Sequence, residues 1–350
     1  MKIAVLSPIA WRTPPRGYGP WEQVASNIAE GLVRLGHDVT LFATADSHTT
    51  GRLHAVCPRG WEEDPSVDPD IWKLMHISEV FERAAEFDII HNHFDFPSLS
   101  YSRLVDTPVI TTIHGFSSPK LYPIYEKYNA NSYYVSISDS DRYEKIDYVA
   151  TVYNGIELDD FTYSDRASDD LVWLGRICHE KGTAEAIQIA RDSGRNLILA
   201  GIIQEADYYA KHVQPYIDNE QIRYIGPIGP QQRNELLGKA AALLHPVMEP
   251  ERFGLVMIEA MACGTPVIGF DKGSVREVTA HGETGFVVED VPQAVAAVTR
   301  LGEISRPACR QHVEKHFTVE TMVDGYLHAY QTVLQQHTQR QNRQRPSAQP

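Results

Sequence analysis

The amino-acid sequence predicts an α/β protein made of two doubly wound parallel-sheet domains, and three observations carry that expectation. Short apolar runs alternate with amphipathic stretches of helical period along the chain. Turn or polar residues follow the C-terminal end of each run, as they do where a buried parallel strand hands over to a crossover helix. The alternation restarts near residue 170 after a polar stretch, and 350 residues are more than one core ordinarily holds.

Residues 3–6 read as the first strand. A helix is expected over 21–35, with Val24, Ile28, Leu32 and Leu35 on one face and Gly36 as its stop. Further strands follow at 39–43, 88–91, 109–114, 133–138 and 149–153. The polar stretch at 158–170, with Asp159-Asp160 and then Ser164-Asp165-Arg166, marks the boundary and divides 1–160 from 161–317. Beyond it come a strand at 171–175, a helix at 183–192, strands at 196–200 and 223–225, a helix at 231–242 and a strand at 266–270. The last helix is read from the stripe Val319, Met322, Val323, Tyr326, Leu327, Tyr330, Val333, Leu334, with Thr318 as N-cap. The tail 338–350, TQRQNRQRPSAQP, is almost without apolar residues and is expected to be disordered.

A composition of 43% hydrophobic and 22% charged residues is that of an ordinary globular protein. The net charge of −14 argues against a nucleic-acid partner, since phosphate binding needs a basic footprint. No run approaches the length of a membrane span, and nothing resembles a secretory signal. Peripheral membrane contact through a local basic face stays open, because net charge does not fix its distribution. Cys57, Cys178, Cys263 and Cys309 are widely spaced and show no paired motif, which suits structural thiols in a reducing cytoplasm.

The most informative stretch is 249–269, EPERFGLVMIEAMACGTPVIG. Glu251 stands just before Phe253-Gly254-Leu255, Glu259 follows after seven intervening residues, and Gly264-Thr265-Pro266 release the chain into a strand. A helix opened by a glycine offers free N–H groups and a positive dipole end to an anion. Carboxylates beside such a site accept hydrogen bonds from sugar or ribose hydroxyls. Arg176 and Lys181, in Gly175-Arg176-Ile177-Cys178-His179-Glu180-Lys181-Gly182, follow the first strand of the second half, where two cations can neutralise a diphosphate. Gly17-Tyr18-Gly19 lacks the third glycine of a dinucleotide fingerprint, because position 22 is Glu. His114 ends a strand, and His91-Asn92-His93 has no third metal ligand at a suitable spacing. Asp139-Ser140-Asp141 is expected to cap a following helix and not to bind a metal.

The run E-R-F-G-L-x-x-x-E-A-M-A-C-G-T-P-V, with G-R-x-x-x-x-K-G before it, closely resembles the retaining glycosyltransferases of family four, the group 1 glycosyltransferases. The resemblance extends in order from residue 1 to about residue 335 and implies the GT-B architecture: two Rossmann-like domains facing a central cleft. It makes 1–160 the acceptor-side domain, with a C-terminal helix at 318–336 packing back on it, and 161–317 the nucleotide-sugar domain. It further implies that Arg176 and Lys181 hold the distal phosphate, that the N–H groups of Gly254 and Leu255 bind phosphate, and that Glu259 takes the ribose hydroxyls. Glu251 and His114 would meet the transferred sugar, Gly201 the nucleotide edge, and Gly17 and Gly19 a phosphate-facing loop. There the family's G-G-T-E is replaced by Gly19-Pro20-Trp21-Glu22. The implied activity is retaining transfer of a hexose-type sugar from a nucleotide diphosphate sugar, UDP favoured over GDP, to a hydroxyl-bearing acceptor, with no cofactor and no obligatory metal. A non-catalytic nucleotide-sugar-binding protein and a GT-B-like epimerase are the alternatives. Acceptor and oligomeric state are not readable.

Overall fold

The computed structural model describes residues 1–116 and 118–344. Two compact units divide the chain: one comprises Met1–Gly155 and the chain from Val319 onward, the other Ile156–Thr318.

In the first unit, β1 (Lys2–Leu6), β2 (Asp38–Phe42), β3 (Arg52–His54), β4 (Ile89–Asn92), β5 (Val109–Ile113), β6 (Tyr133–Ser136) and β7 (Tyr148–Thr151) form a parallel sheet. Their order is β3-β2-β1-β4-β5-β6-β7. Ile3, Ala4, Val5 and Leu6 have no exposed surface, nor do Ile89 and Ile90. Such continuous burial is what a strand covered on both sheet faces requires. The helices preceding the second unit are α1 (Pro20–Arg34), α2 (Pro69–Glu82) and α3 (Tyr122–Tyr128). Pro20 opens α1, where its missing N–H costs nothing, and Val24, Ile28 and Leu32 are buried as their spacing predicts, whereas Leu35, read on the same face, lies past the helix end at Arg34 and is exposed.

The second unit holds β8 (Leu171–Leu174), β9 (Leu197–Ala200), β10 (Ile222–Tyr224), β11 (Ala242–His245), β12 (Val267–Phe270) and β13 (Gly285–Val288), also parallel, in the order β10-β9-β8-β11-β12-β13. Its helices are α4 (Thr183–Asp192), α5 (Ala206–His212), α6 (Pro230–Lys239), α7 (Leu255–Ala262), α8 (Val275–Val278), α9 (Val291–Thr299) and α10 (Arg306–His316). In both sheets the strand order reverses beside a central strand, which opens a crevice at the C-terminal ends.

The chain then returns to the first unit as α11 (Val319–Gln344). Val319, Met322, Val323, Tyr326, Tyr330 and Val333 of its stripe are buried. The helix lies so close to α1 that a Cβ on Gly31 would come within 2.6 Å of Val323 Cγ2. Its buried hydroxyls are satisfied by the sheet: Tyr330 OH lies 2.7 Å from His91 Nδ1, and Tyr326 OH lies 2.9 Å from Thr112 Oγ1.

Three sequence expectations are corrected. The helix read over 231–242 ends at Lys239, because Ala240 is extended (φ −66°, ψ 145°), and β11 begins at Ala242. The Arg306 guanidinium donates to the carbonyls freed there, Gly238 O at 2.8 Å and Ala240 O at 3.0 Å. No helix follows β6 for Asp139 to cap: 137–147 are turns and bends, and Asp139 accepts from Thr151 Oγ1 at 2.5 Å. Of the tail expected to be disordered, 338–344 are helical, which suits the helix propensity of Gln and Arg. Arg340 there lies over the Tyr133 ring and donates to Ala130 O; 345–350 lie outside the described residues.

Candidate active site

The C-terminal ends of β8, β9, β11 and β12 bring together most of the residues singled out from the sequence. Leaving β8, the chain runs through Gly175 to Arg176, whose guanidinium donates to Gln204 Oε1 and to Glu180 Oε1, each at 2.5 Å. Gly201, after β9, has φ +136°, and a Cβ there would fall 1.8 Å from Gly175 O, so only glycine allows these two loops to touch. The Trp173 indole N–H donates to Lys181 O at 3.1 Å and anchors the far end of the loop. Gly182 then turns left-handed (φ +66°) to start α4, against the Pro246 carbonyl.

Lys181 Nζ is 2.7 Å from Glu251 Oε2. The same oxygen accepts from His245 Nε2 at 3.0 Å, and Glu251 Oε1 accepts from the Arg252 backbone N–H at 3.1 Å. Glu251 is buried, and its backbone pairs with Lys272 and Ser274 after β12. Burial pushes its carboxyl pKa up, but the His245 hydrogen bond and the Lys181 charge outweigh that and hold it well below the usual carboxylate range. Glu251 is therefore an anion at neutral pH.

Gly254 (φ +78°) leads directly into α7, and no side chain caps that helix end. Met257 N–H donates back to Gly254 O at 2.9 Å, so of the first turn it is the Leu255 and Val256 N–H groups that face outward for a ligand. Inside α7, Glu259 faces Arg233 of α6, Nη1 to Oε1 at 3.0 Å. Burial raises the Glu259 pKa, and the Arg233 charge opposes the rise. The second unit thus gathers Arg176, Lys181, Gly201, Glu251, Gly254, Leu255 and Glu259 on one edge of its sheet.

The remaining candidates, Gly17, Gly19 and His114, belong to the first unit. Gly19 has φ +148°, and a Cβ would meet Pro15 Cβ at 2.8 Å; Gly17 is exposed, with nothing within 4 Å of an added Cβ. The His114 ring stacks on Trp21 (centroids 5.3 Å apart, planes at 20°) and its Nε2 lies 2.9 Å from His93 Nδ1. Burial lowers its pKa to about 3, so the imidazole is neutral at pH 7. His91 spends its two ring nitrogens on Tyr330 and Thr112. Among the described residues no group of three or more His, Cys, Asp or Glu side chains is arranged to hold a metal ion. No helix among them is long and apolar enough to cross a membrane.

Sequence reasoning missed His245, Arg233 and Glu22. Glu22, in the first turn of α1, is buried and accepts from the Trp11 N–H at 3.2 Å; burial raises its pKa to about 7. No spacing rule joins His245 or Arg233 to the glutamates they serve, because β11 and α6 meet α7 only in the folded unit.

Two family models match the chain, one described as glycosyltransferase family 4 over residues 21–160 and one as glycosyl transferases group 1 over 163–311. A glycogen synthase of Mycobacterium tuberculosis is 23% identical, the match covering 92% of this chain and 93% of that protein. AviGT4, a glycosyltransferase involved in avilamycin A biosynthesis, has a similar fold, with a TM-score of 0.72, 23% identity and coverage of 96% and 98%. HepE of Anabaena, solved in complex with UDP and glucose, superposes with a TM-score of 0.71 at 18% identity, over 95% of this chain and all of that one. With both halves of the chain matched and the GT-B fold in place, the protein belongs to glycosyltransferase family 4, the group 1 glycosyltransferases.

Proposed function

We propose that the chain transfers a hexose-type sugar, with retention of anomeric configuration, from a nucleotide diphosphate sugar to an acceptor hydroxyl. The observation that carries this reading is the cluster of Lys181, Glu251 and His245 beside the uncapped start of α7. Cations and free N–H groups suit the diphosphate, and an ionised buried carboxylate suits sugar hydroxyls. In the reading, Arg176 and Lys181 stabilise the charge that develops on the distal phosphate as its oxygen parts from the anomeric carbon. The acceptor oxygen bonds to that carbon on the same face, and its proton passes to the departing phosphate. Glu251 orients the sugar and Glu259 the ribose, and no side chain acts as nucleophile.

The donor is read as a UDP-sugar in preference to a GDP-sugar, a choice supported by the nucleotide held by HepE. The acceptor is a hydroxyl of a carbohydrate, a lipid-linked glycan or a small molecule. The reading assigns neutralisation of the diphosphate to the two cations and the helix end, and so makes activity independent of a divalent ion.

A thermal-shift screen against UDP, GDP and ADP, with EDTA and then with Mg²⁺, tests the donor site. A nucleotide at 100 times its Kd adds about 2.7 kcal/mol. Stabilisation by UDP that needs no Mg²⁺ and is lost in Glu259→Ala is expected. No shift with any nucleotide would sink the assignment. Release of UDP from UDP-sugar only with acceptor present separates transfer from epimerisation and from binding alone.

A further inference from the structure

Glu251 has more partners than a residue waiting for sugar hydroxyls needs, and they differ in kind. Oε2 takes both Lys181 Nζ (2.7 Å) and His245 Nε2 (3.0 Å), while Oε1 takes the Arg252 N–H (3.1 Å). An ionised carboxylate only accepts, so His245 carries its proton on Nε2. Lys181 is a point charge on a flexible four-carbon stem, its side chain 23% exposed. His245 is fixed at the end of β11 on a two-torsion side chain that is 7% exposed. Gly254 passes so close over the pair that a Cβ on it would lie 3.2 Å from Glu251 Cγ and 3.4 Å from His245 Nε2.

Building on the donor-site reading above, we propose that His245 is a positioning residue that holds the Glu251 carboxylate at the sugar once the donor diphosphate draws Lys181 away. A diphosphate carries more charge than one carboxylate, and a single ammonium cannot sit equally well on both. When Lys181 leaves, the buried anion loses a full charge and one hydrogen bond. The His245 N–H and the Arg252 N–H keep it solvated and oriented, and the direction Lys181 vacates on Oε2 opens to a sugar hydroxyl. Lys181 and Glu251 thus form a resting pair that the donor separates, and His245 makes the separation affordable.

The test compares full-length His245→Leu, His245→Gln and Glu251→Gln, reading UDP affinity and the rate of UDP release from UDP-glucose with an acceptor that supports release by the wild type. Leu removes the donor N–H, whereas Gln supplies an amide N–H at similar reach. Loss of one hydrogen bond to a buried charge predicts a roughly 10–100-fold slower release in His245→Leu, with UDP affinity within about threefold. His245→Gln is expected to recover most of the rate. An unchanged rate in His245→Leu beside a slow Glu251→Gln overturns the role of His245 and leaves the sugar reading standing; an unchanged rate in Glu251→Gln overturns that reading itself. Equal losses of UDP affinity and rate in His245→Leu would make the residue architectural and also defeat the proposal. A measurement without any variant is a crystal structure of the wild type with UDP. Lys181 should then lie on the phosphate with His245 still on Oε2; a retained Lys181–Glu251 pair refutes the exchange.

Discussion

Burial acts on three glutamates of this chain, and the neighbours decide what each becomes. Glu251 meets two donors from side chains and stays ionised; Glu259 has Arg233; Glu22 has backbone N–H groups and a like charge, Glu63. For Glu22 the folded-state pKa of about 7 stands above the ordinary glutamate value of 4.5. Below the lower value both states are protonated and nothing is gained or lost. Between the two, the unfolded chain releases the proton while the folded chain keeps it, so stability falls as pH rises and the cost is complete above about 7. The shift corresponds to at most about 3 kcal/mol. Glu22→Gln keeps an acceptor for Trp11 and should flatten this part of the pH–stability curve, read by urea unfolding from pH 5 to 8; an unaltered slope would refute the shift. At the donor edge, Glu251→Gln should slow sugar transfer by about 10-fold or more while UDP still binds, measured by UDP release and calorimetry. The charged members of this edge were legible because their loops carry fixed spacings. His245, Arg233 and Glu22 were not, since each acquires its meaning from a neighbour brought in by the fold or from a burial that no local pattern announces.

Elements differ in how well the sequence marks them for a related reason. The central strands were legible as apolar runs, and α11 as a stripe sustained over several turns. In α2 the signal is blurred: Ile71, Leu74 and Met75 are exposed while His76, Ile77, Val80 and Phe81 are buried, so apolar residues occupy several faces. β11 hides behind Lys239-Ala240-Ala241-Ala242, which continues a helical composition past the real end of α6. Where α1 meets α11, fit replaces pattern. Gly31→Ala would push a methyl into Val323 and should cost about 1–3 kcal/mol, the usual range for overpacking. Val323→Ala in the same chain removes the clashing methyls, so a double-mutant cycle in urea should show the two changes partly cancelling. Simple addition of the two costs would mean that the helices do not approach as described.

At the scale of the molecule, the second unit is one uninterrupted stretch and the first is not. Ile156 and Thr318 pair side by side as the chain enters and leaves the second unit, with Ile156 N donating to Phe317 O at 3.0 Å. Ending the chain at Thr318 would strip the first unit of six buried stripe residues and of the hydroxyls that satisfy His91 and Thr112. The truncated chain is expected to lose the melting transition of the first unit while UDP still stabilises the second, by calorimetry with and without nucleotide. Retention of both transitions would show that α11 adds little to the first core. For the full chain, the split layout sets an order of completion during synthesis. At 5–20 residues per second the ribosome spends roughly 10–30 s on the intervening unit before α11 emerges. The half begun first is therefore finished last. Until then its apolar sheet face waits uncovered, a natural client for a chaperone acting on nascent chains.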